Sequence, residues 1–145
     1  AYRLVELKRF SEHLGLPLNL QPTFFPVSSD DAARLVIAVD LHDGVDAAMA
    51  LTDAVMCGVW AEQRDIADAD TLASMLTSVG VPTSRAADAR GSDVQALYDA
   101  HTQQAIDLGV FGAPTYVIDG ELFWGQDRLD FVERRLSKDG RTTPS

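Results

Sequence analysis

The chain has 145 residues, 46% of them hydrophobic and 23% charged, with a formal net charge of -10. This length and composition predict one domain with a substantial hydrophobic core. The acidic balance, with no basic run beyond Arg134 and Arg135, argues against nucleic acid as a partner. No stretch reaches the roughly 18 apolar residues of a membrane span, so we expect a soluble, cytoplasmic protein with no membrane partner.

Cysteine and histidine usage limits the chemistry that these residues can support. Cys57 is the only cysteine, so the sequence forms neither an intrachain disulfide nor a CxxC redox pair. Cys57 falls within an apolar helical segment, where we expect it to be buried. His13, His42 and His101 fall on different predicted helices, and we therefore expect no metal site.

Hydrophobic periodicity predicts four or five helices in the first part of the chain. Apolar residues recur at spacings of three and four, with Ser or Asp before the periodic segments and Gly after them. A connector over residues 16–29 contains three prolines, which favour extended backbone. The predicted helices run over Tyr2–Leu14, from Ser28 or Ser29 to Gly44, over Val45–Gln63, from a cap near Asp68 or Asp70 to Gly80, and from Ser92 to Gly109.

The pattern changes from helical to extended after Gly109. The segments "PTYVID" and "ELFW", joined at Asp119-Gly120, predict a two-stranded hairpin with a favoured Asp-Gly turn. A last helix, "DRLDFVERRL", follows Gly125, and we expect the polar residues 139–145 to be a flexible tail. Two strands alone make a marginal sheet, so the hairpin needs partner strands that this chain barely offers.

Ala113-Pro114 is the first candidate binding feature. Proline at the start of a strand, after Phe111-Gly112, is a plausible position for a cis peptide bond. A cis bond would leave the N–H and C=O of Ala113 free to pair with an extended peptide. The alternative is a trans proline that simply begins the strand.

The second candidate is Gly125-Gln126-Asp127-Arg128, where a strand gives way to a helix. Unpaired backbone N–H groups at a helix start would suit the carboxylate of an amino-acid head group, and Asp127 would suit its ammonium. The alternative is an ordinary helix start with a solvated Arg128.

Three segments carry a family resemblance: "LGVFGAPTYVIDGELFWGQDRL", "VWAEQRDIADADTLASML" and "LKRFSEHLGLPL". Together they resemble the 2-hydroxychromene-2-carboxylate isomerases and the related kappa-class glutathione transferases, of the DsbA-like branch of thioredoxin folds. The resemblance covers Tyr2 to Leu136. It implies a single α/β thioredoxin-like domain over residues 1–145, with a large helical insertion over 16–108 and a C-terminal ββα region over 109–138.

The resemblance also implies glutathione as a cofactor. In the family, the proline matching Pro114 is cis, and the residue matching Ala113 pairs through its backbone with the cysteinyl unit of glutathione. The residues after Gly125 match positions that hold the γ-glutamyl head, and Glu6 falls where kappa-class enzymes carry an aspartate near the ligand. The implied cofactor-binding residues are Ala113, Pro114, Gly125, Gln126, Asp127, Arg128 and Glu6.

One part of the family pattern is not found in this sequence. Family members begin with a βαβ unit whose turn supplies a serine facing the glutathione sulfur. Here Ser11 lies inside a predicted helix, and Ser28-Ser29 follow the proline-rich connector. We therefore expect at least about thirty residues of the thioredoxin half, the size of a βαβ unit, to be missing. The catalytic residue is then unassigned, and we expect this chain alone to have little or no activity.

The predicted function is a glutathione-dependent isomerase or transferase acting on a small aromatic or apolar molecule, as a homodimer, which the resemblance implies. Phe24 and Phe25 lie on the connector, and we expect Phe25 to line the substrate pocket. Trp60 and Trp124 could flank a substrate, but the core is the commoner place for tryptophan. The alternatives are a DsbA-like disulfide oxidoreductase with its CxxC in the missing segment, and a non-catalytic helical binding module.

Overall fold

The computed structural model describes residues 2–138, which divide between Tyr98 and Asp99 into two compact units. The boundary lies within a helix, earlier than the predicted start of the ββα region at residue 109. The single domain expected from the sequence stays a prediction. The expected flexible tail, 139–145, lies outside the described residues.

The first unit is helical, and most of its core lies among its second, third and fourth helices. The second helix (α2, Asp30–Asp43) and the third (α3, Val45–Trp60) pack against each other. α3 also packs on α4 (Ala69–Ser78), and α2 packs on the short α5 (Arg85–Asp88). The largest side chains that are fully buried here are Leu35, Leu51, Met75 and Leu76. The helices are α1 (Tyr2–Leu14), α2 (Asp30–Asp43), α3 (Val45–Trp60), α4 (Ala69–Ser78), α5 (Arg85–Asp88) and α6 (Ser92–Asp107), the last of which contains the boundary between the units.

The predicted helices of the first part of the chain are confirmed, with one end displaced and one helix missed, and the last helix begins at Leu129 rather than Asp127. α3 ends at Trp60 rather than Gln63, because Asn19 binds the chain where the helix would continue: its backbone N–H donates to Trp60 O at 2.6 Å and its Nδ2 donates to Ala61 O at 2.9 Å. Gln63 then adopts a left-handed φ of 56°. The four-residue α5 was not predicted from the sequence.

The expectation that Cys57 is buried is wrong, because α3 buries only one of its faces. Leu51, Val55 and Val59 point into the core. The opposite face of the helix carries Cys57 and other exposed apolar residues, among them Val45, Met49 and Met56. The low number of charged residues on α3 therefore does not mean that every face of the helix is buried.

The second unit contains the predicted hairpin. Strands β1 (Thr115–Ile118) and β2 (Glu121–Trp124) pair antiparallel, and the turn between them has positive φ at both residues, 51° at Asp119 and 82° at Gly120. Both values are typical of the type I′ turn that Asp-Gly favours. A 3₁₀ turn, Gln126–Arg128, leads into α7, Leu129–Lys138, which packs on β1.

α7 is also tied to the hairpin turn by charge. Arg135 donates to Asp119 at 3.0 Å and lies 3.7 Å from Glu121. Phe123 is the buried apolar side chain of this unit among the described residues. Within residues 2–138, no helix combines the length and the apolar character needed to cross a bilayer.

Candidate functional site

Two segments that the sequence places apart meet at the open end of the hairpin. The strand register pairs Thr115 with Trp124, so the residues of the next rung are Pro114 and Gly125. The Gly125 N–H donates to the Pro114 carbonyl at 2.9 Å. This hydrogen bond brings Ala113-Pro114 beside the Gly125–Arg128 turn. These six residues, 113, 114 and 125–128, are called the hairpin-end surface below.

Ala113 presents free backbone on this surface. The Ala113-Pro114 peptide bond is cis, as the sequence suggested and the resemblance implied. Ala113 is exposed, and among residues 2–138 neither its N–H nor its C=O has a hydrogen-bond partner. An amide and a carbonyl in this state can pair with the backbone of an extended peptide.

The turn after β2 places a carboxylate and a guanidinium side by side. Gly125 has a φ of 112°, a backbone conformation that favours glycine because other residues are strained there. Asp127 and Arg128 form an ion pair of 2.6 Å, with their side chains 50% and 49% exposed. An ion pair this exposed contributes little to stability, so both charges can turn toward a ligand at low cost.

Backbone donors complete the surface. Arg128 N–H donates to the Gly125 carbonyl at 3.2 Å, whereas the N–H groups of Gln126 and Asp127 have no partner within the described part of the chain. Two free amides next to a carboxylate and a guanidinium complement a zwitterion, which carries an anionic and a cationic group.

An exposed aromatic pair lies next to Ala113. The rings of Phe111 and Trp124 are 5.1 Å apart, and a Cβ on Gly112 would lie 2.7 Å from Trp124 Nε1. Trp124 is 53% exposed, so its expected place in the core is wrong. The indole stays at the surface because β2 turns Phe123 inward and the next residue outward.

Glu6 belongs to the first unit, on α1. Arg9 donates to its carboxylate at 2.6 Å, and this hydrogen bond, with a further one from Tyr2, holds the pKa of Glu6 below its ordinary value. Glu6 is therefore ionised at neutral pH and paired with Arg9. Its predicted contact with the cofactor stays a prediction.

Phe25 lines an open groove of about 470 Å³ in the first unit. Its ring centroid lies 4.7 Å from that of Trp60, and the guanidinium of Arg3 lies 5.7 Å from the ring centroid of Phe25. Trp60 is half-buried on this groove rather than fully enclosed in the core. The full lining, called the Phe25 groove below, is Arg3, Leu4, Leu20, Gln21, Pro22, Phe25 and Trp60.

Sequence reasoning missed Arg3 as a member of this groove. Arg3 falls outside the apolar stripe of α1, so periodicity assigns it to a solvated face. Its contact with Phe25 depends on how the connector folds back, which no local pattern encodes. Among residues 2–138, no three His, Cys, Asp or Glu side chains come together as metal ligands would.

A comparison with sequence models of protein families shows the family of this chain. The sequence model of the DSBA-like thioredoxin domain matches residues 1–137. The chain belongs to this family. The DsbA-type thioredoxin fold implied by the resemblance is confirmed, in a mostly helical form whose described residues contain a small two-stranded sheet.

This chain is similar to proteins named 2-hydroxychromene-2-carboxylate isomerases. It is 31% identical over 134 residues to a 2-hydroxychromene-2-carboxylate isomerase of Sphingobium xenophagum, covering 92% of this chain and 66% of that protein. A solved structure of a 2-hydroxychromene-2-carboxylate isomerase matches with a TM-score of 0.73 and 28% identity, over 97% of this chain and 66% of the other. The predicted resemblance to these isomerases is confirmed. The chain spans slightly less than two thirds of their length.

The DSBA-like fold is shared with redox proteins. The cytosolic disulfide reductase DsbM of Pseudomonas aeruginosa, solved with GSH, matches with a TM-score of 0.67 over 90% of this chain and 73% of the other. At 23% identity this likeness shows the fold alone.

Proposed function

We propose that the protein is a glutathione-dependent isomerase, or a related glutathione transferase of the kappa type, acting on a small aromatic molecule. The observation that carries this proposal is the hydrogen bond from Gly125 to Pro114, which joins the two predicted glutathione-binding segments into one surface. Relatives named 2-hydroxychromene-2-carboxylate isomerases support the reaction class.

The hairpin-end surface fits glutathione in shape and charge. Glutathione is an extended peptide with a zwitterionic γ-glutamyl end, and the free N–H and C=O of Ala113 would pair with its cysteinyl unit. Asp127 would accept from the ammonium, while Arg128 and the free amides of the turn would donate to the carboxylate. The presence of GSH in the DsbM structure supports binding of this ligand by the fold.

These residues would position the cofactor rather than carry out proton transfer. Bound glutathione supplies a thiol whose thiolate form is the reactive nucleophile. The backbone pairing at Ala113 would fix the direction of the cysteinyl side chain. The hydrogen bond from the ammonium to Asp127 would fix the distance between the cysteinyl side chain and the 125–128 turn. The residue that stabilises the thiolate stays unassigned.

Replacement of Asp127 tests the proposal. We expect Asp127→Ala to weaken glutathione binding by about 1 to 3 kcal/mol, because it removes a charge-assisted hydrogen bond to the ammonium. Isothermal titration calorimetry of glutathione into the full-length protein measures the change. Asp130→Ala removes the same charge from an exposed position in the first turn of α7 and should leave the affinity unchanged.

The outcome also separates the proposal from a non-catalytic binding module. Equal affinity in wild type and Asp127→Ala would remove Asp127 from the site. No binding to the wild type at millimolar glutathione would instead favour a non-catalytic binding module. Localisation in the cytoplasm and assembly as a homodimer are the remaining parts of the proposal. The first derives from the lack of a long apolar stretch in the sequence, and the second from the resemblance.

A further inference from the structure

The Phe25 groove combines an apolar floor with one cationic side chain. The rings of Phe25 and Trp60 form an aromatic pair, and half-buried Leu4 and Leu20 extend the apolar surface. The groove volume, about 470 Å³, falls within the usual range for small-molecule sites. These features suit a flat, apolar ligand of one or two rings.

Arg3 contributes to this groove a guanidinium that has no carboxylate partner in the described part of the chain. The chain has 22 acidic and 12 basic residues, so an arginine readily finds a carboxylate, as Arg9 on the same helix does with Glu6. Within the described residues, the Arg3 side chain has neither an ion pair nor a hydrogen bond. Its guanidinium makes a cation–π contact with the Phe25 ring. A cation–π contact uses none of the N–H donors of the guanidinium, so they can bind an acceptor on a ligand.

We propose that Arg3 is a specificity-determining residue that binds the carboxylate of an aromatic ligand whose ring lies on Phe25 and Trp60. The planar donor set of arginine matches a carboxylate with two parallel hydrogen bonds. The aromatic floor places the ring while Arg3 selects for the negative charge. This inference rests on the proposed function, since it assigns the Phe25 groove to the small aromatic substrate of that reaction.

Two matched probes test the assignment: 2-naphthoate, which carries the carboxylate, and 2-naphthamide, which is neutral and of similar shape. Each is titrated calorimetrically into the full-length protein without glutathione. We expect 2-naphthoate to bind the wild type more tightly than 2-naphthamide does. Arg3→Gln should weaken 2-naphthoate at least about tenfold, the effect of losing a charge-assisted pair, and leave 2-naphthamide unchanged.

A second arginine supplies the control. Arg134 also lies over an exposed phenylalanine, 5.9 Å from the centroid of the Phe131 ring, but in the second unit. Arg134→Gln removes the same charge and should not change 2-naphthoate binding. Phe25→Leu, which shortens the aromatic floor, should weaken both probes.

Three results would overturn the assignment. They are no binding of 2-naphthoate to the wild type, equal affinity for the acid and the amide, and an equal effect of Arg3→Gln and Arg134→Gln. Failure of the proposed function gives a different result, because glutathione titration depends on Asp127 in the other unit. If the protein did not bind glutathione but still bound 2-naphthoate more tightly than 2-naphthamide, the cofactor proposal would be wrong and the assignment of Arg3 would stand.

Discussion

At the scale of single residues, Asp68 sets the start of α4. Its side chain accepts a hydrogen bond from the Thr71 N–H at 2.8 Å, while its own backbone is extended, with φ of -86° and ψ of 128°. This backbone hydrogen bond, followed by one from the Thr71 side chain, holds the pKa of Asp68 below its ordinary value. The sequence predicted a cap near Asp68 or Asp70 because Asp precedes the periodic segment, and the structure shows that Asp68 is the cap.

The cap predicts a pH-dependent contribution to stability. The folded pKa of Asp68 is lower than the unfolded one, so its contribution is complete above the unfolded pKa, about 3.9, and is lost as the pH falls through the folded pKa. We expect Asp68→Ala to lower the melting temperature by a few degrees at neutral pH. The difference from wild type should shrink in acid, as measured by thermal unfolding at both pH values.

Asp70→Ala is the matched control, since Asp70 is an acidic residue of the same first turn. It should cost less than Asp68→Ala at neutral pH. A difference between Asp68→Ala and wild type that stayed constant from neutral pH into acid would show that the carboxylate charge plays no part in the cap.

Structural elements of this chain differ in how well local patterns predicted them. The hairpin was predicted because the Asp119-Gly120 turn and the residue alternation agree, and its register then explains why 113–114 meet 125–128. The exposed face of α3 was not predicted, because apolar residues there give no sign of which face the neighbouring helices cover. The short α5 was missed because four residues carry no periodicity.

Packing at the open end of the hairpin predicts the cost of a small change. In Gly112→Ala, the new Cβ would overlap the Trp124 indole, whose Nε1 would be 2.7 Å away. We expect the hairpin to lose about 1 to 3 kcal/mol and Trp124 to leave its contact with Phe111. Urea unfolding gives the energy, and the NMR shift of the Trp124 indole N–H reports the movement.

A double-mutant cycle shows whether this overlap is the cause. In a Trp124→Phe background the ring is smaller, so Gly112→Ala should cost clearly less. The same cost in both backgrounds would mean that the methyl group acts on the backbone at Gly112 and not on the indole.

At the scale of the whole molecule, apolar burial is uneven. The buried cluster lies entirely within the first unit, from Ala32 to Val94, whereas the second unit exposes Phe111, Trp124 and Phe131. We expect Leu51→Ala, at a fully buried position, to cost about 2 to 5 kcal/mol in the free energy of unfolding. Urea denaturation measures it.

The same substitution in the second unit provides the comparison. Leu122 is half-buried on β2, so Leu122→Ala should cost about 1 kcal/mol. Equal costs at Leu51 and Leu122 would contradict a core confined to the first unit.

The candidate site was predictable only where chain neighbours or strand partners form it. Ala113 and the 125–128 turn flank one hairpin, so local rules bring them together. Glu6 and Phe25 were chosen by resemblance and by position on a connector, and the structure gives each a partner, Arg9 and Arg3, that the sequence did not predict. Contacts between distant segments depend on the packing of the whole unit, which periodicity does not specify.

The hydrogen bond between Gly125 and Pro114 also limits how the strand can continue. Proline has no N–H, so Pro114 accepts from Gly125 and donates nothing in return. The pairing of the hairpin with itself therefore stops at this rung, and the free amide and carbonyl of Ala113 lie just beyond it. Such an edge is a template for strand addition, in which a short peptide from outside takes the place of the next strand.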